Sequence, residues 1–200
     1  MTQRIVSRGL SGSLALGLFA AAAWLSLSFA ASGPSLSADI ALVGDDATDN
    51  SAAIQQALDA GLGSLHFPKG RYRLTKTVTV NLDKTGPVAL TGDGAATVIM
   101  TGPGPAFRFV GTHEGSAAPS RFRESVWRDE RAPMIDGLEI VGAHPEAVGI
   151  EADGTMQLTI SRVVVRRALH GIHLTGRNRN VILSNCHLYE TVAPACSTTA

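Results

Sequence analysis

Apolar residues recur at helical spacing in one short stretch of the chain, residues 52–60. Ile54, Ala57 and Leu58 fall on one face of this stretch, and Gly61 follows as a natural stop. The three residues before it all favour the N-cap position of a helix: Asp49, Asn50 and Ser51. The pattern therefore predicts a short amphipathic helix that covers an apolar surface.

From residue 65 onwards, apolar and polar residues alternate in short segments with Gly- and Pro-containing turns between them. A period of two is typical of β-strands whose alternate side chains face a core. In the first half of the chain these segments lie at residues 65–67, 72–74, 77–80, 88–90, 97–100 and 107–110. The pattern predicts an all-β protein with one short helix before its first strands.

The second half of the chain contains an internal repeat. The sequence GIEADG at 149–154 matches GIHLTG at 171–176. A second segment recurs at nearly the same spacing, at positions 135–140, 160–165 and 183–188. Short alternating strands with a constant period are typical of a β-solenoid, in which each coil stacks its apolar residues on the coil before.

Alternation sorts the side chains of the two Gly-Ile segments onto two faces. Four apolar residues are predicted to point inward: Ile150, Ala152, Ile172 and Leu174. Glu151, Asp153, His173 and Thr175 are then predicted to point outward. Glu151 should lie above His173 on the neighbouring coil, about 4.8 Å away.

Three motifs resemble a known family. They are GDDATDNSAAIQQAL at 44–58, LHFPKGRYRL at 65–74 and LTGDGAATVI at 90–99. Together they resemble the N-terminal signature of the pectate-lyase-like superfamily, which includes rhamnogalacturonase-like and epimerase-like members. The resemblance implies a right-handed parallel β-helix with a short N-terminal capping helix. Because lyases, hydrolases, epimerases and phage tail proteins share the signature, it does not choose between chemistries.

The acidic residues of the first motif are interpreted as structural. An end of a parallel solenoid exposes apolar interior and unpaired backbone, which a helix before the first coil would cover. Four residues around that helix are therefore predicted to act in the cap and its turns: Asp45, Asp46, Asp49 and Asn50. This interpretation is preferred to a carboxylate cluster with a catalytic role.

The resemblance also suggests a site, because the strand at this point of the repeat lines the polysaccharide groove in the superfamily. The catalytic candidates are Glu151, Asp153 and His173. Two carboxylates could hydrolyse a glycosidic bond. A lyase or epimerase needs a base for a uronate proton and a cation for its carboxylate, often Ca²⁺. The alternative is a solvated sheet face, and the paired aspartates and Arg/Lys motifs expected of polygalacturonases and pectate lyases are missing.

A charged loop is predicted at residues 112–133, between the first coils at 41–111 and the repeats at 134–190. A tryptophan among arginines can stack on a sugar and bind uronate carboxylates. The substrate-binding candidates are Trp127, Arg121, Arg123 and Arg128. The alternative is an ordinary charged excursion from the solenoid. The histidines and cysteines have no spacing typical of a metal site, so no metal ligands are predicted.

Residues 1–30 have the pattern of a signal peptide. Arg4 and Arg8 stand at its start, residues 9–29 carry no charge, and Ser28 and Ala30 are small residues at the positions that a signal peptidase reads. We expect export to the periplasm, the cell surface or the medium, with a linker at 31–40. The alternative is a retained membrane anchor, since the uncharged stretch is long enough to span a bilayer. If the signal is cleaved, no stable membrane span is expected.

The final segment of the chain, 191–200, departs from the repeat. After Tyr189 and Glu190 the chain should enter another Gly-Ile-like strand, but it reads TVAPACSTTA. We expect this tail to follow a frameshift that truncates a longer solenoid. On this hypothesis Cys196 has no role, and Cys186 is a small buried apolar residue.

The balance of charged residues argues against nucleic acid as a partner. Seventeen basic residues balance seventeen acidic ones, so no basic field points to nucleic acid. The favoured interpretation is an exported carbohydrate-active enzyme that acts on acidic polysaccharide by hydrolysis, β-elimination or uronate epimerisation. No cofactor is evident, and Ca²⁺ is expected only if the chemistry is lyase-like. A non-catalytic glycan-binding or surface solenoid, and a truncated product without activity, are the alternatives.

Overall fold

A computed structural model describes residues 40–115, 118 and 120–199 of the chain, all of them in one compact unit. The predicted signal peptide and the linker up to residue 39 lie outside the described residues. No helix within the described ranges is long and apolar enough to cross a membrane.

Most of the described residues form short β-strands. In chain order the strands are β1 Asp45–Asp49, β2 Ser64–Phe67, β3 Gly70–Leu74, β4 Val78–Asn81, β5 Ala89–Met100, β6 Gly104–Val110, β7 Met134–Gly142, β8 Ala147–Asp153, β9 Thr159–Ser161, β10 Val164–Arg166, β11 His170–Thr175, β12 Ile182–Ser184, β13 His187–Tyr189 and β14 Cys196–Thr198. Two α-helices, α1 (Ser51–Asp59) and α2 (Leu82–Thr85), and a π-helical turn at Val126–Glu130 complete the elements.

The strands form two sheets in which every strand pair is parallel. Sheet A has the order β1-β3-β5-β7-β10-β13, with β2 beside β5, β9 beside β7, and β12 beside β9. Sheet B has the order β4-β6-β8-β11-β14. The chain therefore visits sheet A twice and sheet B once in each coil, which gives a solenoid-like stack of parallel strands.

The strand register follows the sequence repeat. Ile150 of the first Gly-Ile segment pairs with Ile172 of the second. In sheet A, Ile135 pairs with Ile160, and Ile160 pairs with Leu183, so the three copies of the other repeated segment stack in order. The predicted repeat is therefore confirmed as the stacking of successive coils.

The core consists of the inward residues of both sheets, which form one continuous cluster of buried side chains. Phe67 lies near its start and contacts Tyr72 and Phe107 edge-on, with ring centroids 5.3 and 6.0 Å away. Such aromatic pairs add about 0.5–1.5 kcal/mol each beyond the burial of their area. These ring contacts join strands β2, β3 and β6 within the core.

Helix α1 closes the first edge of sheet B. Its apolar face is buried through Ile54 and Leu58, and Gly61 ends it in the left-handed region at φ +90°. The Gln55 side chain receives the N–H of Thr79 at 2.8 Å and donates to the Thr79 carbonyl at 3.0 Å. Because Thr79 belongs to edge strand β4, this amide satisfies backbone groups that no strand pairs on that side.

The bend between the two visits to sheet A uses the left-handed backbone in successive coils. Gly137, Arg162 and Asn185 stand at the same place in three coils and have φ values of +67°, +52° and +54°. A left-handed residue turns the strand sharply without breaking the stack, and Asn and Gly adopt it at low cost.

The tail does not leave the stack at residue 191. Strand β14 pairs in parallel with β11, with Cys196 opposite Ile172 and Thr198 opposite Leu174. The backbone N–H groups of Val192 and Ala193 also bond to the preceding coil, at the carbonyls of Ala168 and Leu169. Residues 192–199 thus occupy the position of another coil, although their sequence lacks the Gly-Ile motif.

Candidate functional site

The outward residues of sheet B form a row along the axis of the stack. The register places four of them at equivalent positions on consecutive strands β6, β8, β11 and β14: Arg108, Glu151, His173 and Ser197. Their neighbours in each strand point inward, so every second side chain of the sheet faces this surface. We call these four residues the sheet B row.

Glu151 is the centre of the sheet B row. Its Oε1 accepts a hydrogen bond from Arg108 Nε at 2.7 Å, and its Oε2 lies 3.6 Å from His173 Nδ1. The Glu151 side chain is only 15% exposed, whereas that of Arg108 is 41% exposed. The carboxylate is therefore held between two basic groups, and Arg108 offers the more accessible charge.

His173 has a different environment on each ring nitrogen. Nδ1 faces Glu151, and Nε2 lies 3.3 Å from Thr199 Oγ1. The ring also stacks on His170 with centroids 5.0 Å apart and planes 22° apart. These contacts fix the ring and leave Nε2 facing a hydroxyl, the orientation in which an imidazole can accept a proton.

His170 is not oriented to activate Ser197 through its Nδ1. Its Nδ1 lies 3.0 Å from the Pro194 carbonyl oxygen, which can only accept a hydrogen bond. That contact favours the tautomer with hydrogen on Nδ1, so the Ser197 hydroxyl oxygen at 3.2 Å accepts from the same nitrogen. His170 therefore supports the ring of His173 rather than activating Ser197.

Asp153 lies at the end of β8, two positions beyond Glu151 and on the same face. It is exposed, and its Oδ1 lies so close to Gly176 of the next coil that a side chain there would collide with it. The sequence candidates Glu151, Asp153 and His173 therefore share one face, and the contact predicted between Glu151 and His173 is present. Of these two carboxylates, Glu151 is bound by Arg108 and Asp153 has no ion pair within the described part of the chain.

Arg108, Ser197 and Thr199 are residues of this face that sequence reasoning missed. The Phe107–Val110 stretch aligns with Ile150–Asp153 in the sheet, but the separation of Arg108 from Glu151 in the sequence is 43, about twice that of Glu151 from His173. The inserted loop hides this match in a search at constant offset. The two stretches share the same alternation of apolar and polar residues, and this similarity could have identified Arg108.

The loop that follows β6 carries the predicted substrate-binding residues but separates them. Arg128 binds the carboxylate of its neighbour Asp129, with Nη2 2.6 Å from Oδ2. Arg123 donates to the Thr112 carbonyl, and Arg121 is exposed. The Trp127 ring lies under the guanidinium of Arg131 at 4.6 Å, and the Trp127 backbone N–H donates to the Arg123 carbonyl at 3.3 Å.

Two buried polar residues hold this loop. Glu130 accepts hydrogen bonds from the backbone N–H of Thr112 at 2.7 Å and from its hydroxyl at 2.5 Å, which ties the two ends of the loop together. His113 is buried beside it, and burial, followed by the nearby Arg179 and Arg123, lowers the pKa of its imidazole. Both residues have a structural role that their isolated positions in the sequence did not reveal.

The acidic residues before α1 contact the backbone of a turn and an arginine of the next strand. Asp45 accepts the N–H groups of Ala47 and Thr48, and Asp46 pairs with Arg71 at 2.9 Å. Asn50 occupies the N-cap position of α1 without a side-chain cap hydrogen bond. Its amide instead bonds to the backbone of Val43 and Thr48.

Asp49 connects the start of α1 to the next coil. Its carboxylate accepts hydrogen bonds from Ser51 and from the N–H and hydroxyl of Thr75. Although burial raises its pKa, the hydrogen bonds from Ser51 and Thr75 prevail and lower the pKa of Asp49 to about 2. This residue therefore carries its charge at any pH at which the protein is expected to work.

Two carboxylates of sheet A also accept hydrogen bonds from neighbouring side chains. Asp136 accepts from Ser161 and from Arg162, and the Arg162 hydrogen bond lowers the pKa of Asp136. Glu139 accepts from Thr97 and Arg166, both at 2.7 Å. Both carboxylates lie outside the sheet B face and provide matched controls for it.

The residues of the sheet B face do not fit a Ca²⁺ site. Calcium takes six to eight oxygen ligands, several of them carboxylates. Glu151 is already bound by Arg108, and no group of three or more His, Cys, Asp or Glu side chains in the described ranges could hold a metal ion. We therefore assign no calcium ligands among the residues of this face.

Similarity to one solved structure supports the fold. No protein-family model and no curated protein sequence matches this chain. The chain is similar to ORF18 of Geobacillus virus E2, with 18% identity, a TM-score of 0.53, and coverage of 74% of this chain and 35% of the viral chain. It also matches the A-module of a mannuronan C-5 epimerase from Azotobacter vinelandii, with 16% identity, a TM-score of 0.33, and coverage of 74% and 54%. The chain thus spans about a third of the viral protein and about half of the epimerase module.

Proposed function

We propose that this chain is an exported, carbohydrate-active protein with a right-handed parallel β-helix fold, and that its sheet B face binds and acts on acidic polysaccharide. The observation that carries the proposal is the sheet B row, in which Arg108, Glu151 and His173 stand on three consecutive coils. Neighbouring strands lie about 4.8 Å apart, so the side chains of the row recur at that spacing along the stack. A polymer lying along the row would meet a different side chain at each coil.

The row contains the two groups that proton abstraction from a uronate requires. Arg108 is the accessible cation and can bind the uronate carboxylate, which makes the neighbouring C5 proton more acidic. His173 Nε2 is the base, while Glu151 orients the ring through Nδ1 and stabilises the imidazolium that forms. Arg108 and Glu151 would then have to loosen their mutual contact when substrate binds.

In β-elimination by this row, the uronate loses its C5 proton and its glycosidic bond at C4. His173 takes the C5 proton, the electron pair of the C–H bond forms the C4–C5 double bond, and the glycosidic C4–O bond breaks. The leaving oxygen takes a proton from water. Return of a proton to C5 from the opposite side, without bond breakage, would instead give the epimer.

Hydrolysis by a pair of carboxylates is less well supported by this geometry. A glycosidase needs one carboxyl group as acid and another as base or nucleophile. Glu151 Oε1 already accepts a hydrogen bond from Arg108 Nε at 2.7 Å, so this carboxyl group would have to give up that contact to reach a glycosidic oxygen. The proposal therefore favours proton abstraction by His173 over a mechanism with Glu151 and Asp153.

The experiment incubates the full chain with polygalacturonate in deuterated water. Ultraviolet absorbance reports the unsaturated product of elimination, proton NMR reports exchange at C5, and reducing ends without absorbance report hydrolysis. His173→Gln should lower the rate at least about 100-fold, the usual effect of losing a general base. Glu139→Gln is the matched control, because it removes a carboxylate of similar surroundings from sheet A. Equal rates for parent and His173→Gln would overturn the assignment.

A non-catalytic glycan-binding solenoid is the second candidate. It is favoured by the close pairing of Arg108 with Glu151, which leaves fewer free groups for chemistry. In that case the parent would bind polygalacturonate without exchange or cleavage, and Arg108→Gln would weaken binding. Absence of both binding and turnover over carboxylated and sulfated polysaccharides would contradict both candidates.

A further inference from the structure

The loop after β6 lies at the corner where the strands of sheet B end. Its first residues bond to the neighbouring coil, with the N–H of Gly111 donating to the Asp153 carbonyl and the N–H of His113 donating to the Gly154 carbonyl. Farther along, Arg179 lies over the Phe122 ring at 5.7 Å. Because Arg179 follows β11 and Asp153 ends β8, the loop borders the edge of the sheet B face.

Trp127 in this loop is already covered by protein groups. The Arg131 guanidinium lies 4.6 Å from its ring centroid, and Phe122 packs against it with centroids 5.5 Å apart and planes 40° apart. A sugar ring that stacked on the face under Arg131 would have to displace the guanidinium. The structure therefore does not favour Trp127 as a stacking platform for a sugar.

Arg131 is an exposed arginine held in place without a carboxylate partner. Its residue is exposed, and no ion pair to its guanidinium is present among residues 40–115, 118 and 120–199. By contrast, Arg128 is neutralised by Asp129. An arginine stacked on an aromatic face keeps its in-plane N–H donors free, so it can bind an anionic oxygen pair with little loss of side-chain entropy.

We propose that Arg131 is an anion-binding residue at the edge of the sheet B face, and that Trp127 positions it. The ligand class is a carboxylate or sulfate group on a polysaccharide. This inference rests on the proposed function, which makes an acidic polysaccharide the partner. It transfers the role that the sequence suggested for Arg128 to Arg131, and it changes the role of Trp127 from sugar stacking to support of the cation.

Tryptophan fluorescence can report this site directly. The chain has two tryptophans, Trp24 and Trp127, so Trp24→Phe in the full chain leaves Trp127 as the single reporter. Titration with polygalacturonate should change its emission, because ligand binding shifts the guanidinium above the ring. Dextran sulfate tests sulfate as the anionic group, and unmodified dextran is the neutral control.

Arg131→Gln in this background should weaken binding of the anionic polymer about threefold to fivefold, as expected for one exposed charge pair. The matched control, Arg128→Gln, should leave the affinity unchanged because Asp129 already occupies that arginine. Trp127→Ala should weaken binding as Arg131→Gln does, whereas Trp127→Phe should preserve it because phenylalanine still offers a face to the cation. The two Trp127 variants lack the fluorophore, so calorimetry measures their affinity.

The outcomes separate this inference from the proposed function. If the parent binds the anionic polymer and Arg131→Gln binds it equally well, the role of Arg131 is overturned while the function of the sheet B face is untouched. An effect of Arg128→Gln equal to that of Arg131→Gln would also overturn it, because the loop would then act as a diffuse charge. If the parent binds neither anionic polymer, the proposed function and this inference fail together.

Discussion

Glu151 and His173 face each other across two adjacent coils, with Glu151 Oε2 3.6 Å from His173 Nδ1. Arg108 approaches the same carboxylate from the other side. Three outward side chains that lie far apart in the sequence are thereby brought into one electrostatic unit. The unit exists because the parallel register places equivalent positions of successive coils next to each other.

This unit should show measurable coupling between Arg108 and Glu151. Arg108→Gln and Glu151→Gln should each destabilise the fold, and the double variant should lose less than the sum because the second change removes a partner that is already unpaired. The coupling free energy should be about 1 kcal/mol, since Arg108 is partly exposed to solvent. Urea unfolding of the four proteins measures it. Strict additivity would show that the 2.7 Å contact contributes nothing to stability.

The repeated glycine before Ile150 is predicted to be required for close packing of the coils. A Cβ at Gly149 would lie 2.5 Å from Val165 Cγ1 and collide with the Gly171 carbonyl oxygen. Gly149→Ala should therefore lower the free energy of unfolding by about 1–3 kcal/mol, the usual cost of overpacking. Gly63→Ala is the control, because a Cβ there has no atom within 4 Å. Equal stability of the two variants by thermal unfolding would contradict this explanation of the glycine.

The sequence predicts which residues pair between coils where the repeat is uninterrupted, and it fails to do so where a loop interrupts the repeat. The match between the two Gly-Ile segments was sufficient to predict that Glu151 would face His173, because constant spacing in a solenoid determines register. Arg108 was not found, since the loop insertion stretches its separation from Glu151 to 43. The sequence predicts that the tail departs from the repeat, because the tail lacks the Gly-Ile motif. Its backbone nevertheless pairs with β11, since backbone hydrogen bonds do not require the Gly and Ile residues of that motif.

The loop shows a different limit of sequence reasoning. Trp127 and Arg131 are four residues apart, the spacing at which side chains meet on a helical turn, and this signal could have identified the pair. Composition alone placed Trp127 among several arginines and could not show which of them it contacts. Whether an arginine of the loop can bind a ligand depends on its local partners, and Arg128 is already paired with Asp129.

Asp49 should make stability depend on pH at the acidic end. Its pKa in the folded protein is about 2, below the ordinary value of 3.8, so its contribution is fully present above about pH 4 and is lost as pH falls through 2. Asp49→Asn should cost about 1 kcal/mol at pH 7, after allowance for solvent exposure, and nearly nothing below pH 2. Urea unfolding of both proteins at several pH values tests this. A difference that stays constant with pH would assign the effect to packing instead of charge.

The amide of Gln55 should protect the first edge of sheet B. It satisfies both the N–H and the carbonyl of Thr79, so Gln55→Ala should lose both of these hydrogen bonds, together with an exposed one to Asp59, and destabilise the fold by about 1–3 kcal/mol. Gln55→Glu keeps an acceptor for the Thr79 N–H but has no donor for its carbonyl, and should lie between Gln55→Ala and the parent. Because unpaired strand edges promote association, Gln55→Ala should also shift the protein towards oligomers in size-exclusion chromatography. Hydrogen exchange at the Thr79 amide provides the local measurement. Exchange as slow as in the parent would mean that helix α1 protects this edge by burial alone, without the side-chain amide.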